Sequence, residues 1–143
     1  MNKEKEKIKV YVGCSLTHSS EEFKQSIADF KDQLRPHVEI LDFLGLGAPS
    51  AKEAFEWDIA CVKRCDLLIT NITYPSIGSG VEWGVAYSLK KPIITIAQKD
   101  IKVSRFVFGY EDATHFTLRY NTNEDAIPFI LEKMEYLFPS QII

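Results

Sequence analysis

Apolar positions along the chain fall into two rhythms. Ile8 to Cys14 alternates and is rich in Val, Ile and Tyr, which predicts a first strand. Ser19-Ser20-Glu21-Glu22 then reads as a capping-box start, and Phe23, Ile27, Phe30 and Leu34 form one stripe of a helix that Pro36 stops. Val38 to Phe43 predicts a second strand, and Leu44 to Pro49 is a loop. Ser50 with Glu53 caps the next helix, whose Phe55, Ile59 and Val62 are expected to face the core. Leu67 to Asn71 reads as a third strand, Val81 to Leu89 as an amphipathic helix, Pro92 to Ala97 as a fourth strand and His115 to Tyr120 as a fifth. A last helix carries Ile127, Ile130, Met134 and Leu137 on one face, with Pro128 tolerated near its start.

Strands alternating with helices through the whole chain imply a parallel sheet covered on both faces. The expected fold is α/β, a flavodoxin/Rossmann-like three-layer sandwich with about five parallel strands. A length of 143 residues fits one domain, and there are no internal repeats. In open sheets of this kind ligands bind beyond the carboxyl ends of the strands. The loops Ser15 to His18 and Tyr74 to Gly80 both fall at that rim. A Rossmann dinucleotide site is a poor alternative, because Gly13-Cys14-Ser15-Leu16-Thr17-His18 lacks the Gly-x-Gly-x-x-Gly turn.

Composition narrows the partners. A net charge of -3 argues against a nucleic-acid backbone, whose binders usually carry a basic surplus. A small anionic ligand needs only a few local donors and stays possible. No apolar run approaches a membrane span, and the charged start Met1-Asn2-Lys3-Glu4-Lys5-Glu6-Lys7 lacks the apolar middle of a secretory signal. A cytoplasmic location is therefore expected. Cys14, Cys61 and Cys65 cannot all pair within one chain and suit a reducing compartment. No metal pattern accompanies Cys61 and Cys65, so packing is the expected role of all three.

The chemistry concentrates in Asn71 to Ala86. Gly78 and Gly80 are expected to form a flexible turn between strand and helix that lets the backbone approach a ligand. Glu82 is expected in the first helical turn, where unpaired N–H groups and the helix dipole favour its ionised form. A carboxylate held there can serve as nucleophile or general base. The plainer reading is a glutamate that merely complements the dipole, after an ordinary loop.

The run Pro75-Ser76-Ile77-Gly78-Ser79-Gly80-Val81-Glu82-Trp83-Gly84-Val85-Ala86 resembles the active-site segment of the nucleoside 2-deoxyribosyltransferase family, which includes the 2′-deoxynucleoside 5′-monophosphate N-hydrolases. Lys9 to His18, Trp57-Asp58-Ile59 and Cys65 to Ile69 extend the resemblance. It implies one such domain over 1–143, cleavage of an N-glycosidic bond, no cofactor, and Glu82 as the nucleophile that forms a glycosyl-enzyme. It further implies Asp58 near the leaving base as acid or hydrogen-bond partner, and Tyr11 near the nucleoside. Their plainer roles are a solvated helix residue and a core aromatic.

Ser76 departs from members acting on unphosphorylated nucleosides, which tend to carry aspartate there. A serine can donate to a 5′-phosphate that aspartate would repel. Ser15 and Ser104 resemble two more serines of the monophosphate hydrolases, the latter supplied by a neighbouring subunit, so a homodimer is implied. Against this, Thr17 stands where those hydrolases have arginine, leaving His18, Lys102 or Arg105 to supply charge. The expected partner is thus a nucleoside or nucleotide, with hydrolysis preferred over base exchange. A non-catalytic nucleotide-binding domain is the third reading, suggested by Trp83, bulkier than the usual leucine and able to narrow the pocket.

Overall fold

The structure, a computed structural model, describes residues 6–139 and 141. Most of the charged start discussed above lies outside them. The chain runs β1 (Lys9–Cys14), α1 (Glu21–Leu34), β2 (Glu39–Ile40), α2 (Ala51–Arg64), β3 (Leu67–Asn71), α3 (Ile77–Ser88), β4 (Ile93–Gln98), β5 (His115–Tyr120) and α4 (Asn123–Leu137). The strands form one all-parallel sheet in the order β2-β1-β3-β4-β5. This is the expected α/β architecture.

Period-2 alternation sorts the strand side chains between two cores. Val10, Val12, Ile69 and Ile94 meet Phe23, Phe30 and Leu34 of α1 and Ile130 and Met134 of α4. Tyr11, Leu68 and Ile93 point the other way, onto Cys61 and Val62 of α2 and Ala86 of α3. Each large aliphatic side chain so buried contributes about 1.5–3 kcal/mol. β1 lies between β2 and β3, so the strand order reverses there and a crevice opens at the carboxyl ends of β1 and β3.

Several elements differ from expectation, each for a local reason. β2 is only two residues long, although the Glu39 and Leu41 amides still donate to the carbonyls of Ile8 and Val10 at 2.9 Å. Beyond Leu41 the backbone is taken by side chains of α2. The Trp57 indole donates to Asp42 O at 2.9 Å, and Asp58 Oδ1 accepts from Leu44 N at 2.8 Å. Phe55, expected in the core, is 61% exposed, whereas Val62 is fully buried and Ile59 half-buried. Ser20 caps α1 by accepting from Phe23 N at 3.1 Å. Phe23 occupies the third helical position, so no acidic side chain closes a capping box. Thr122 and Asp125 do form one at the start of α4.

α3 corrects the reading of the glycine run. The Ser76 hydroxyl accepts from Ser79 N at 3.0 Å and starts the helix at Ile77, four residues earlier than expected. A good cap offsets the weak helix propensity of Gly78 and Gly80. Both glycines are helical. The positive-φ glycine among the described residues is Gly45, at φ 52° in the loop after β2.

Candidate active site

Tyr11, on β1, is 1% exposed and its ring lies on the α2/α3 face of the sheet. Its hydroxyl donates to Glu82 Oε2 in a short hydrogen bond. Gly13 makes room for that pairing: a Cβ there would come within 2.9 Å of Glu82 Oε1. With Ser76 as cap, Glu82 falls in the second turn of α3 rather than the first. The expected stabilisation by unpaired first-turn amides is therefore replaced by something else. Burial pushes the Glu82 carboxyl up from 4.5 to about 7, the nearby Asp58 adds to the rise, and the Tyr11 bond and the charge of Lys31 oppose it. Burial also raises the Tyr11 hydroxyl, with Glu82 adding to the effect, so this group stays a donor.

A cavity of about 920 Å³ opens above this pair. Ser15, Asp58, Ser76 and Gly78 line it together with Tyr11 and Glu82. Six of the residues singled out from the sequence therefore converge from β1 and the loop after it, α2, and α3 with its cap. Ser15 is 1% exposed, while Thr17 and His18 lie exposed at the rim. Cys14 also lines the cavity, but burial pushes its thiol up to about 11, which suits packing better than reactivity.

Gly80 and Ser104 belong elsewhere. They line a second cavity, about 1170 Å³, on the far side of α3, with Lys102, Arg105 and Trp83. Trp83 points into this second space, stacked on Tyr87 with ring centroids 5.6 Å apart, and its indole donates to Thr95 Oγ1 at 3.2 Å. The expected narrowing of the pocket beside Glu82 therefore gives way to a different placement. Ser76 and Ser79 line both spaces, and the Ser79 hydroxyl is buried without a partner among the described residues.

Two contributors escaped the sequence reading. Phe43 lines the Glu82 cavity and meets Tyr11 edge-on, centroids 6.4 Å apart at 64°. Its position at the end of the second strand was its only signal. A buried network is the other: Asn71 Nδ2 donates to Tyr120 Oη at 2.6 Å, and Asn71 Oδ1 accepts from Thr73 N and Thr73 Oγ1 at 3.1 and 2.6 Å. It ties the β3–α3 loop that carries Ser76 to β5. Among the described residues no group of three or more His, Cys, Asp or Glu is disposed to hold a metal ion, and no helix is long and apolar enough to cross a membrane.

The family model described as nucleoside 2-deoxyribosyltransferase matches residues 10–124. The chain belongs to the nucleoside 2-deoxyribosyltransferase family. Among relatives of this deoxyribosyltransferase-family chain is a Thermofilum pendens protein named, provisionally, 2′-deoxynucleoside 5′-phosphate N-hydrolase 1. The two are 30% identical over 64% of this chain and 62% of that protein. The 5-hydroxymethyl-dUMP N-hydrolase of Mus musculus is 28% identical over 59% of this chain and 50% of its own length. The chain thus spans between half and two thirds of the length of these two relatives. The Clostridium botulinum CMP N-glycosidase shares the fold, with a TM-score of 0.66 and 20% identity over 87% of this chain and 98% of that one. The family is one of enzymes, transferases by its own name and N-hydrolases by the names of these relatives.

Proposed function

We propose that this chain cleaves the N-glycosidic bond of a deoxynucleoside or its 5′-monophosphate by double displacement, with Glu82 as nucleophile. The observation that carries the reading is the Tyr11–Glu82 hydrogen bond at the floor of a cavity that Asp58 also lines. The Glu82 carboxylate attacks C1′ as the C1′–N bond breaks, and the departing base takes a proton or hydrogen bond from Asp58. Tyr11 holds the attacking carboxylate in place and lowers its proton affinity against the effect of burial. In the second step water adds to C1′, its proton passes to a carboxylate, and Glu82 is released. A second free base in place of water would give exchange.

Hydrolysis of a monophosphate is the preferred version. Ser76 and Ser15 offer hydroxyls beside the amino end of α3, where a phosphate is favoured by free amides and the helix dipole. Thr17 supplies no charge, and the His18 imidazole lines the same cavity. Ser104 faces the other cavity of its own chain, so in this reading a second subunit brings its Ser104 to the Glu82 site. The three buried thiols suit a reducing compartment, and the proposal places the enzyme in the cytoplasm.

The test is incubation with a deoxynucleoside, its 5′-monophosphate and a second free base, with products separated by chromatography. Free base and deoxyribose 5-phosphate are expected. Exchange without net free sugar sinks the hydrolase version. Nucleotide binding with no turnover in either assay leaves the non-catalytic binding domain.

A further inference from the structure

Lys31 is a buried cation that the chemistry above leaves unused. It sits on the inward face of α1, 7% exposed, among Phe23, Ile27, Phe30 and Leu34. Burying an ammonium is costly unless it is paired. Its Nζ lies 3.5 Å from Asp42 Oδ1 and 3.8 Å from the centroid of the Phe43 ring. Arg35 already holds the same carboxylate, with Nη2 at 3.2 Å from both oxygens, so Asp42 has a partner without Lys31. Replacing a buried ion pair with an apolar side chain of similar volume is often neutral for stability. What the lysine adds is charge at this spot.

Two contacts lead from that charge to the reactive pair. Phe43, capped by Lys31, meets the ring of Tyr11 edge-on, and Tyr11 donates to Glu82. We propose that Lys31 is a positioning residue for the reactive pair: through Phe43 it fixes the Tyr11 ring, and its ammonium is the positive charge facing Glu82 from behind the cavity wall. The proposal rests on the reading of Glu82 as nucleophile, but its physical core does not need turnover. The charge of Lys31 lowers the proton affinity of both Glu82 on α3 and Cys14 on β1, two groups on separate elements. The other groups facing Glu82 are Tyr11 from β1 and Asp58 from α2. Those facing Lys31 are Asp42 from the loop after β2, Cys14 from β1 and Arg35 at the carboxyl cap of α1.

The test follows the Glu82 carboxyl carbon by NMR in protein labelled with ¹³C-glutamate, its resonance assigned with Glu82→Gln. Wild type, Lys31→Met and Lys31→Arg are titrated, and kcat/KM is measured across the same pH range. In Lys31→Met the Glu82 midpoint is expected to rise by about 0.5–1 pH unit, with the acid limb of kcat/KM moving alike, and Lys31→Arg is expected to restore both. An unchanged midpoint in folded Lys31→Met overturns the proposal, even if activity falls, because that outcome describes packing alone. Should Lys31→Met fail to fold, wild type decides: the ¹⁵Nζ resonance of Lys31 must shift as Glu82 titrates, and a flat resonance overturns the proposal. A wild-type protein without turnover would defeat the proposed function, while the NMR titration would still report on Lys31.

Discussion

The Tyr11 hydroxyl donates its hydrogen to Oε2 of Glu82, a residue 71 positions further along the chain. The pairing joins β1 to the helix after β3 at the crevice where the strand order reverses. It sets two opposing influences on one carboxylate. Burial favours the protonated form, and the hydrogen bond favours the ionised one.

Burial prevails, with the Glu82 carboxyl pushed up to about 7. A nucleophilic carboxylate must be ionised, so kcat/KM is expected to fall about tenfold per pH unit below about pH 7. A rate profile across pH 5–9 checks this. A flat profile down to pH 5 contradicts it.

The same shift predicts how stability responds to pH. The folded-state pKa of Glu82 lies above its unfolded value of 4.5. Its stabilising contribution is therefore fully present below about pH 4.5 and is lost as pH rises through about 7. Glu82→Gln, which removes the charge and keeps the shape, is expected to raise Tm by a few degrees at pH 8 and to have little effect at pH 5. Thermal melts of both proteins at both pH values check the sign.

Removing the Tyr11 hydroxyl deletes a donor to the attacking group. Tyr11→Phe is expected to lower kcat by about 10²-fold and to move the acid limb upward, since the lost bond had lowered the Glu82 pKa. Nucleotide affinity, measured by calorimetry, should change little. A kcat within about twofold of wild type would remove Tyr11 from the mechanism.

Ser76 caps α3, and aspartate caps helices equally well. Ser76→Asp therefore keeps Tm near the wild-type value while placing a negative charge beside the proposed phosphate position. The preference for a monophosphate over the free nucleoside is expected to fall at least about tenfold. An unchanged ratio would show that the 5′ end is held elsewhere.

Much of this was legible in the sequence because it depends on local pattern. The strand β5 coincides with His115 to Tyr120, and the stripe Phe23, Ile27, Phe30 and Leu34 is the buried face of α1. The convergence of Ser15, Ser76 and Glu82 followed from the rule that crevices form at strand carboxyl ends and from the motif around Glu82, and Asp58 joined them through the family resemblance at Trp57-Asp58-Ile59. Non-local packing decided the rest. Phe55 and Ile59 share a helical stripe with Val62, yet only Val62 is fully buried, because periodicity gives a direction and not a depth. The early start of α3 was hidden by Gly78 and Gly80, whose propensity argues against helix until the Ser76 cap is seen. That shift moved Glu82 to the second turn and changed the dominant influence on its charge from dipole to burial. Lys31 gave no signal and Phe43 only its place at the end of the predicted second strand, since their contacts link α1 to the loop after β2 through space.

The covalent step is tested most directly by intercepting it. A 2′-fluoro-arabinosyl nucleoside monophosphate slows release of the glycosyl-enzyme, and mass spectrometry of the digested protein then locates the added sugar phosphate. The account predicts the adduct on the peptide containing Glu82, absent in Glu82→Ala, which should also lose at least about 10³-fold in kcat. An adduct on another residue, or near-normal turnover by Glu82→Ala, would contradict it.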